Sequence, residues 1–309
     1  MYKLPVWNTI GEAYRFLWAE RSAWLNYALL PVLALTFLGT LITVGTERPF
    51  IIDFSPSQLP LPQPDAENAA PLIALPDGVA IALQIINFVV LIAAAIAFPV
   101  AWHRRLLLGP GATSTLEILV WKGRHWRYLG RTIAVGIALI FAMILAGLFA
   151  GLLFTTIFTV FFQGTTFDPT EDFLVFFALG LVFFITPTYL FVAVIIAPML
   201  PALPAAAVED YEVTTSSAFR MGKGNFGRMG MVLFFGTFLP YLIISSLGDG
   251  VNSAFILSPG ERPSIVQTFA VQMFVYLLLY LAIAVGVSAL SITYQRLRDN
   301  VPLDTEETA

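Results

Sequence analysis

Thr215-Ser-Ser-Ala-Phe-Arg-Met-Gly-Lys-Gly-Asn-Phe226-Gly-Arg-Met-Gly230 superimposes without a gap, 100 residues on, upon Thr115-Leu-Glu-Ile-Leu-Val-Trp-Lys-Gly-Arg-His-Trp126-Arg-Tyr-Leu-Gly130. Both stretches open on a polar residue, carry an aromatic among basic residues, end on glycine and run straight into a long apolar segment. A looser copy, Thr9 to Tyr27, opens the chain, with Tyr14, Leu17 and Trp18 at one-face helical spacing and Trp24 leading into the first apolar run. An ungapped recurrence predicts three copies of one unit, a short amphipathic interfacial helix followed by a transmembrane hairpin, over about 5–103, 112–208 and 212–298. Two copies carry a capping-box pattern, Thr9 with Glu12 and Ser114 with Glu117.

Working outward, apolar runs lie at about 22–45, 78–102, 131–163, 173–205, 229–247 and 267–292. A bilayer core of about 30 Å needs about 20 helical residues, so each is long enough to span. The composition agrees: 58% of residues are hydrophobic, 12% are charged and the mean hydropathy is +0.82. A membrane barrel is excluded because the runs are continuous and not alternating. The expected fold is an all-α integral membrane protein, a single membrane domain of six transmembrane helices with three interfacial helices. Thr46 to Asp77 reads as a Pro-rich extended loop and the tail 299–309 as short and acidic.

Successive copies are separated by an even number of spans, so the repeats are parallel and share one face. With the N-terminus inside, fourteen of the 16 Lys and Arg residues fall on that face, and Arg48 and Arg262 alone fall opposite. This positive-inside asymmetry places both termini in the cytoplasm. The net charge of -4 hides the split, since the opposite face is acidic. No removable signal peptide is read at the N-terminus. The absence of Cys excludes disulfide and thiolate chemistry.

Ionisable residues inside spans mark proton relays and ion pathways, and the runs contain none within them, Arg131 standing at the very start of the third. Asn26, Gln84, Asn87 and Gln272 are the most polar mid-span groups and read as interhelical hydrogen-bonding residues. Pro187, Pro198, Pro201 and Pro204 interrupt the fourth span; they fit either a kink or a broken helix beside a transport path. Gly222-Lys-Gly224-Asn-Phe-Gly227 matches G-x-G-x-x-G, but no strand precedes it, so a turn at headgroup depth is expected and not a nucleotide loop. His103 and His125 lack metal-ligand spacing, and no nucleophile has an evident base, so no catalytic, cofactor or metal site is assigned. Gly147 and Gly151 permit close helix approach, within the bundle or with another subunit. Trp102 and Tyr294, each just before basic residues, read as headgroup-depth anchors.

The basic cluster Arg104, Arg105, Lys122, Arg124, Arg127 and Arg131, interleaved with Trp121, Trp126 and Tyr128, has two readings: contact with anionic lipid or a membrane-protein partner, or topology alone. Lys223 and Arg228 extend it. Nucleic acid is not an expected partner.

The segment Leu203-Pro-Ala-Ala-Ala-Val-Glu-Asp-Tyr-Glu-Val-Thr-Thr-Ser-Ser-Ala-Phe-Arg-Met-Gly-Lys-Gly-Asn-Phe-Gly-Arg, together with Trp102-His-Arg-Arg-Leu-Leu-Leu-Gly109, resembles bacterial multispan proteins related to the membrane domain of some glycerophosphodiester phosphodiesterases. The resemblance implies a six-span inner-membrane protein. In such fusions the phosphodiesterase activity resides in a separate soluble domain, so no catalytic residue is implied here. The expected function is non-enzymatic, lipid- or partner-contacting through the basic collar; the competing reading is a transporter or channel with a path between repeats or along the fourth span.

Overall fold

The computed structural model describes residues 2–45, 75–114, 118, 120–161, 188, 191–255 and 264–300. Among them the chain is helical, with no strand. The elements are α1 (Val6–Ala19), α2 (Arg21–Gly45), α3 (Asp77–Leu108), α4 (Gly123–Phe161), a π-helical segment Val192–Ile196, a 3-10 turn Ala197–Met199, α5 (Ala202–Ala207), α6 (Thr215–Met221), α7 (Phe226–Leu233), a second π-helical segment Phe234–Phe238, α8 (Leu239–Phe255) and α9 (Ile265–Asn300). Five helical stretches among the described residues are long and apolar enough to cross a membrane: Arg21–Val44, Asp77–Leu108, Gly123–Thr156, Phe226–Gly248 and Ile265–Asn300. The protein is membrane-embedded. Most of the expected fourth span, with Pro187, lies outside the described residues, as do nearly all of the expected loop 46–77 and tail 299–309.

Local starts differ from expectation. Pro5 sets the beginning of α1 at Val6, and the Thr9 hydroxyl donates to the Pro5 carbonyl at 2.8 Å instead of capping. Glu12 pairs with Arg296 at 2.7 Å, so Thr9 and Glu12 form no capping box. Boxes form instead at α6, where the Ser217 N–H donates to Thr214 Oγ1 at 3.2 Å and the Thr214 N–H to Ser217 Oγ at 2.7 Å, and at α9, where the Gln267 N–H donates to Ser264 Oγ at 3.2 Å and the Ser264 N–H to Gln267 Oε1 at 2.8 Å. Glu117 lies outside the described residues. In the second copy Val120, Trp121 and Lys122 are not helical; α4 starts at Gly123 and continues unbroken into its span.

The chain divides into two compact units, Met1–Glu12 with Gly123–Phe234 and Ala289–Ala309, and Ala13–Lys122 with Phe235–Ser288. In the first, α4 packs on the π-helical segment through Val135, Ala142 and Ile196, with Phe149 edge-on to Phe191. The buried small-residue stripe of α4 is Ala142, Ala146 and Ala150. Gly147 and Gly151 are on open faces, where a Cβ would meet nothing among the described residues, because the helix presents a neighbouring stripe to its partner.

The core of the second unit is an aromatic cluster. Trp102 is fully buried, stacked on Phe98 (centroids 6.1 Å apart, planes 9° apart) and met edge-on by Phe16 and Tyr27. Its indole N–H donates to the Ala284 carbonyl (3.1 Å) and Ser288 Oγ (2.8 Å), which removes the cost of burying that donor. Trp102 is therefore core and not a headgroup anchor. In the first unit Tyr294 is likewise buried, donating its hydroxyl to Asp210 at 2.6 Å. Among the described residues, Trp7, Trp18, Trp126, Phe141 and Tyr211 are the aromatics more than 60% exposed.

Candidate functional site

Of the four prolines of the expected fourth span, Pro198, Pro201 and Pro204 are among the described residues and act on the backbone in sequence. Pro198 has no N–H to donate, and the helix ahead of it widens to π geometry, the Ala197 N–H reaching back to the Val192 carbonyl. The 3-10 turn follows, and Pro201 caps α5, which contains Pro204. Prolines inside α2 (Pro31) and α3 (Pro99) were not singled out above, yet both lie within continuous helices. A proline pattern alone does not separate a tolerated kink from a break.

The turn between α6 and α7 holds the G-x-G-x-x-G match. Gly222 is needed for close packing, since a Cβ there would lie 3.0 Å from Met229 Sδ and 3.2 Å from Pro198 Cβ. Gly224 has φ +82°, a left-handed conformation that glycine adopts without strain. The glycines so shape a turn that aims Asn225 at the N-terminal segment. Asn225 Oδ1 accepts the Leu4 N–H at 2.8 Å and its Nδ2 donates to the Tyr2 carbonyl at 2.9 Å, a two-sided grip on an extended backbone. Arg228 adds a bond to the Leu4 carbonyl at 2.8 Å, and Arg296 binds Thr9 Oγ1 at 2.6 Å. Asn225 and Leu4 are both buried. This clamp is the element that sequence reasoning missed; the only signal was an Asn between a turn glycine and an aromatic.

The basic collar falls into two sets, one in each unit. In the first unit Arg131 donates to the Ala202 carbonyl, Arg228 holds Leu4, Arg127 lies over the Tyr211 ring at 4.4 Å, and Arg298 pairs with Asp210 at 3.2 Å and with Glu212. Arg124 is buried, its Nε without a partner. Lys223 projects outward from the turn. In the second unit Arg104 donates to Thr113 Oγ1 and the Ala112 carbonyl, both at 3.3 Å, and Arg105 binds Glu20 at 2.6 Å and the Pro110 carbonyl at 2.7 Å. Lys122 is half-buried. Much of the collar therefore staples chain segments, the buried charge-assisted bonds contributing about 1.5–3 kcal/mol each and the exposed ones about 0–1 kcal/mol; Arg127 and Lys223 keep an outward charge.

His103 and His125 are both buried, in different units. Of the mid-span amides, Gln272 bridges helices, accepting from Thr40 at 3.1 Å and donating to Thr43 at 3.2 Å. Asn26 and Gln84 lie on exposed faces. Asn87 is fully buried with neither amide atom partnered, and Thr36 Oγ1 is also buried and unpartnered. A scan against protein-family models finds no match for the chain, and neither do searches of curated proteins and of solved structures.

Proposed function

We propose that the protein is a non-enzymatic, six-span component of a bacterial inner membrane, with both termini cytoplasmic and a threefold parallel repeat, that contacts anionic lipid or a membrane partner through its basic face. The observation that carries this reading is the outward pairing of charge and aromatic in the first unit: Arg127 over Tyr211 and the exposed Lys223, with Trp7 and Trp126 exposed. Cations beside amphipathic rings suit the headgroup layer of an anionic leaflet. The fourteen-to-two distribution of basic residues and the resemblance of Leu203 to Arg228 to multispan inner-membrane proteins support the same topology.

The test is lipid selectivity of the shell around the protein, read with spin-labelled phosphatidylglycerol against phosphatidylcholine. Arg127→Gln with Lys223→Gln should lower the preference for the anionic lipid about fivefold per charge, since each surface cation contributes about 1 kcal/mol. Unchanged selectivity after correct insertion removes the collar reading. A transport reading has one observation in its favour, the π-helical and 3-10 interruption at Val192–Met199 beside Pro198. Solute flux in liposomes that changes with Pro198→Ala or Pro201→Ala would favour it.

A further inference from the structure

In the second unit, where α1 turns into α2, a groove of about 440 Å³ opens against α8 and α9. Its walls include Leu17, Trp24, Ile243, Leu281 and Val285, and its mouth carries Trp18 and Arg21. The volume falls within the roughly 300–1,000 Å³ range of ligand sites. Arg21 opens a span that runs to Val44, so it sits at one bilayer surface, while the apolar walls lie toward the hydrocarbon.

The charge at the mouth identifies the occupant. Glu20, the adjacent acid, is taken by Arg105 at 2.6 Å. Arg296 and Arg298 also have acidic partners. Arg21 has no acid partner among the described residues: its guanidinium donates to the Trp18 carbonyl at 3.2 Å and lies 5.6 Å from the exposed Trp18 ring. Those contacts hold the side chain over the groove and leave donors for an anion. A water-soluble anion would find no use for the apolar walls, a lipid without phosphate would leave the cation uncompensated, and a zwitterionic headgroup would bring its own cation beside Arg21, so a phospholipid of net negative charge fits best.

We propose that this groove is a site for one glycerophospholipid of net negative charge, with an acyl chain along Trp24, Ile243, Leu281 and Val285 and the phosphate on the Arg21 guanidinium. The site shares no residue with the basic collar and rests only on the protein being membrane-embedded.

The experiment is native mass spectrometry of the full chain released from nanodiscs holding phosphatidylglycerol and phosphatidylcholine of identical chains in equal amounts. One phosphatidylglycerol should be retained per chain. Arg21→Gln should lower its retention about fivefold and abolish the headgroup preference, and Ile243→Trp, which lays a ring into the groove, should lower retention of both lipids. Arg127→Gln with Lys223→Gln should leave the single adduct intact, which separates this site from the collar. Retention in Arg21→Gln with wild-type headgroup preference overturns the proposal, as does an undiminished adduct in folded Ile243→Trp. A titration of the unmodified protein covers the case in which a variant does not fold. Phosphatidylglycerol brominated on its acyl chains should quench tryptophan fluorescence saturably at one lipid per chain; quenching that rises without saturating is the mark of bulk lipid and refutes the site.

Discussion

Replacing Asn225 by Ala removes both ends of the grip on the N-terminal segment while leaving the turn glycines and α7 unchanged. The lost bonds are Leu4 N–H to Oδ1 (2.8 Å) and Nδ2 to the Tyr2 carbonyl (2.9 Å). Each bond contributes about 1 kcal/mol net, and the buried Leu4 N–H, stranded without an acceptor, adds a desolvation cost of about 1–3 kcal/mol. The expected destabilisation is about 3–5 kcal/mol if the segment stays docked. If it undocks instead, the loss is smaller, but the fully buried Leu4 side chain is exposed. Either way the Leu4 amide loses protection. Amide hydrogen exchange of the protein in nanodiscs reads this directly: exchange at Leu4 should accelerate by about a hundredfold or more, the equivalent of about 3 kcal/mol of local opening. Asn225→Asp keeps the acceptor for Leu4 but sets a carboxylate against the Tyr2 carbonyl, so it should fall near Ala and not near wild type. Wild-type protection at Leu4 in Asn225→Ala would refute the clamp.

Two further outcomes follow from packing. Asn87→Leu substitutes an apolar side chain of similar size for a fully buried amide with no partner, and should raise resistance to unfolding by about 1–3 kcal/mol; a loss of stability in a denaturant titration would show that the amide is satisfied by a group such as a buried water. At Gly286 a Cβ would lie 2.6 Å from Thr237 Oγ1, so Gly286→Ala should destabilise by about 1–3 kcal/mol, and Thr237→Ala should recover part of that in a double-mutant cycle. Additive effects of the two substitutions would mean that the helices do not meet there.

The collar shows where sequence reasoning stopped. Arg104 to Arg131 and Lys223 to Arg228 were identifiable as a basic cluster, because charge bias is a local count. Their destinations were not: Arg105 meets Glu20 across 85 residues and Arg228 meets Leu4 across 224. The same limit affected Trp102. An aromatic just before two arginines describes an interfacial anchor and a core residue equally well, and only the approach of Phe98, Tyr27 and Ser288 places it in the core. At Thr214 the capping box was overlooked because Ser217, not Glu or Gln, stands at its third position.

What the sequence determined by itself is five apolar segments long enough to cross a bilayer and the helical class that follows. Both depend on run length and on backbone self-satisfaction in hydrocarbon, properties of a segment taken alone. Tertiary structure decided which face of each helix is buried, as with the alanine stripe of α4 in place of its glycines. It also decided which arginines are consumed as staples, and that Asn225 holds the N-terminus. These depend on helix rotation and on contacts between distant segments, and the physical reason is that lipid is as apolar as the helix surfaces, so hydropathy carries no record of which surface meets a neighbour.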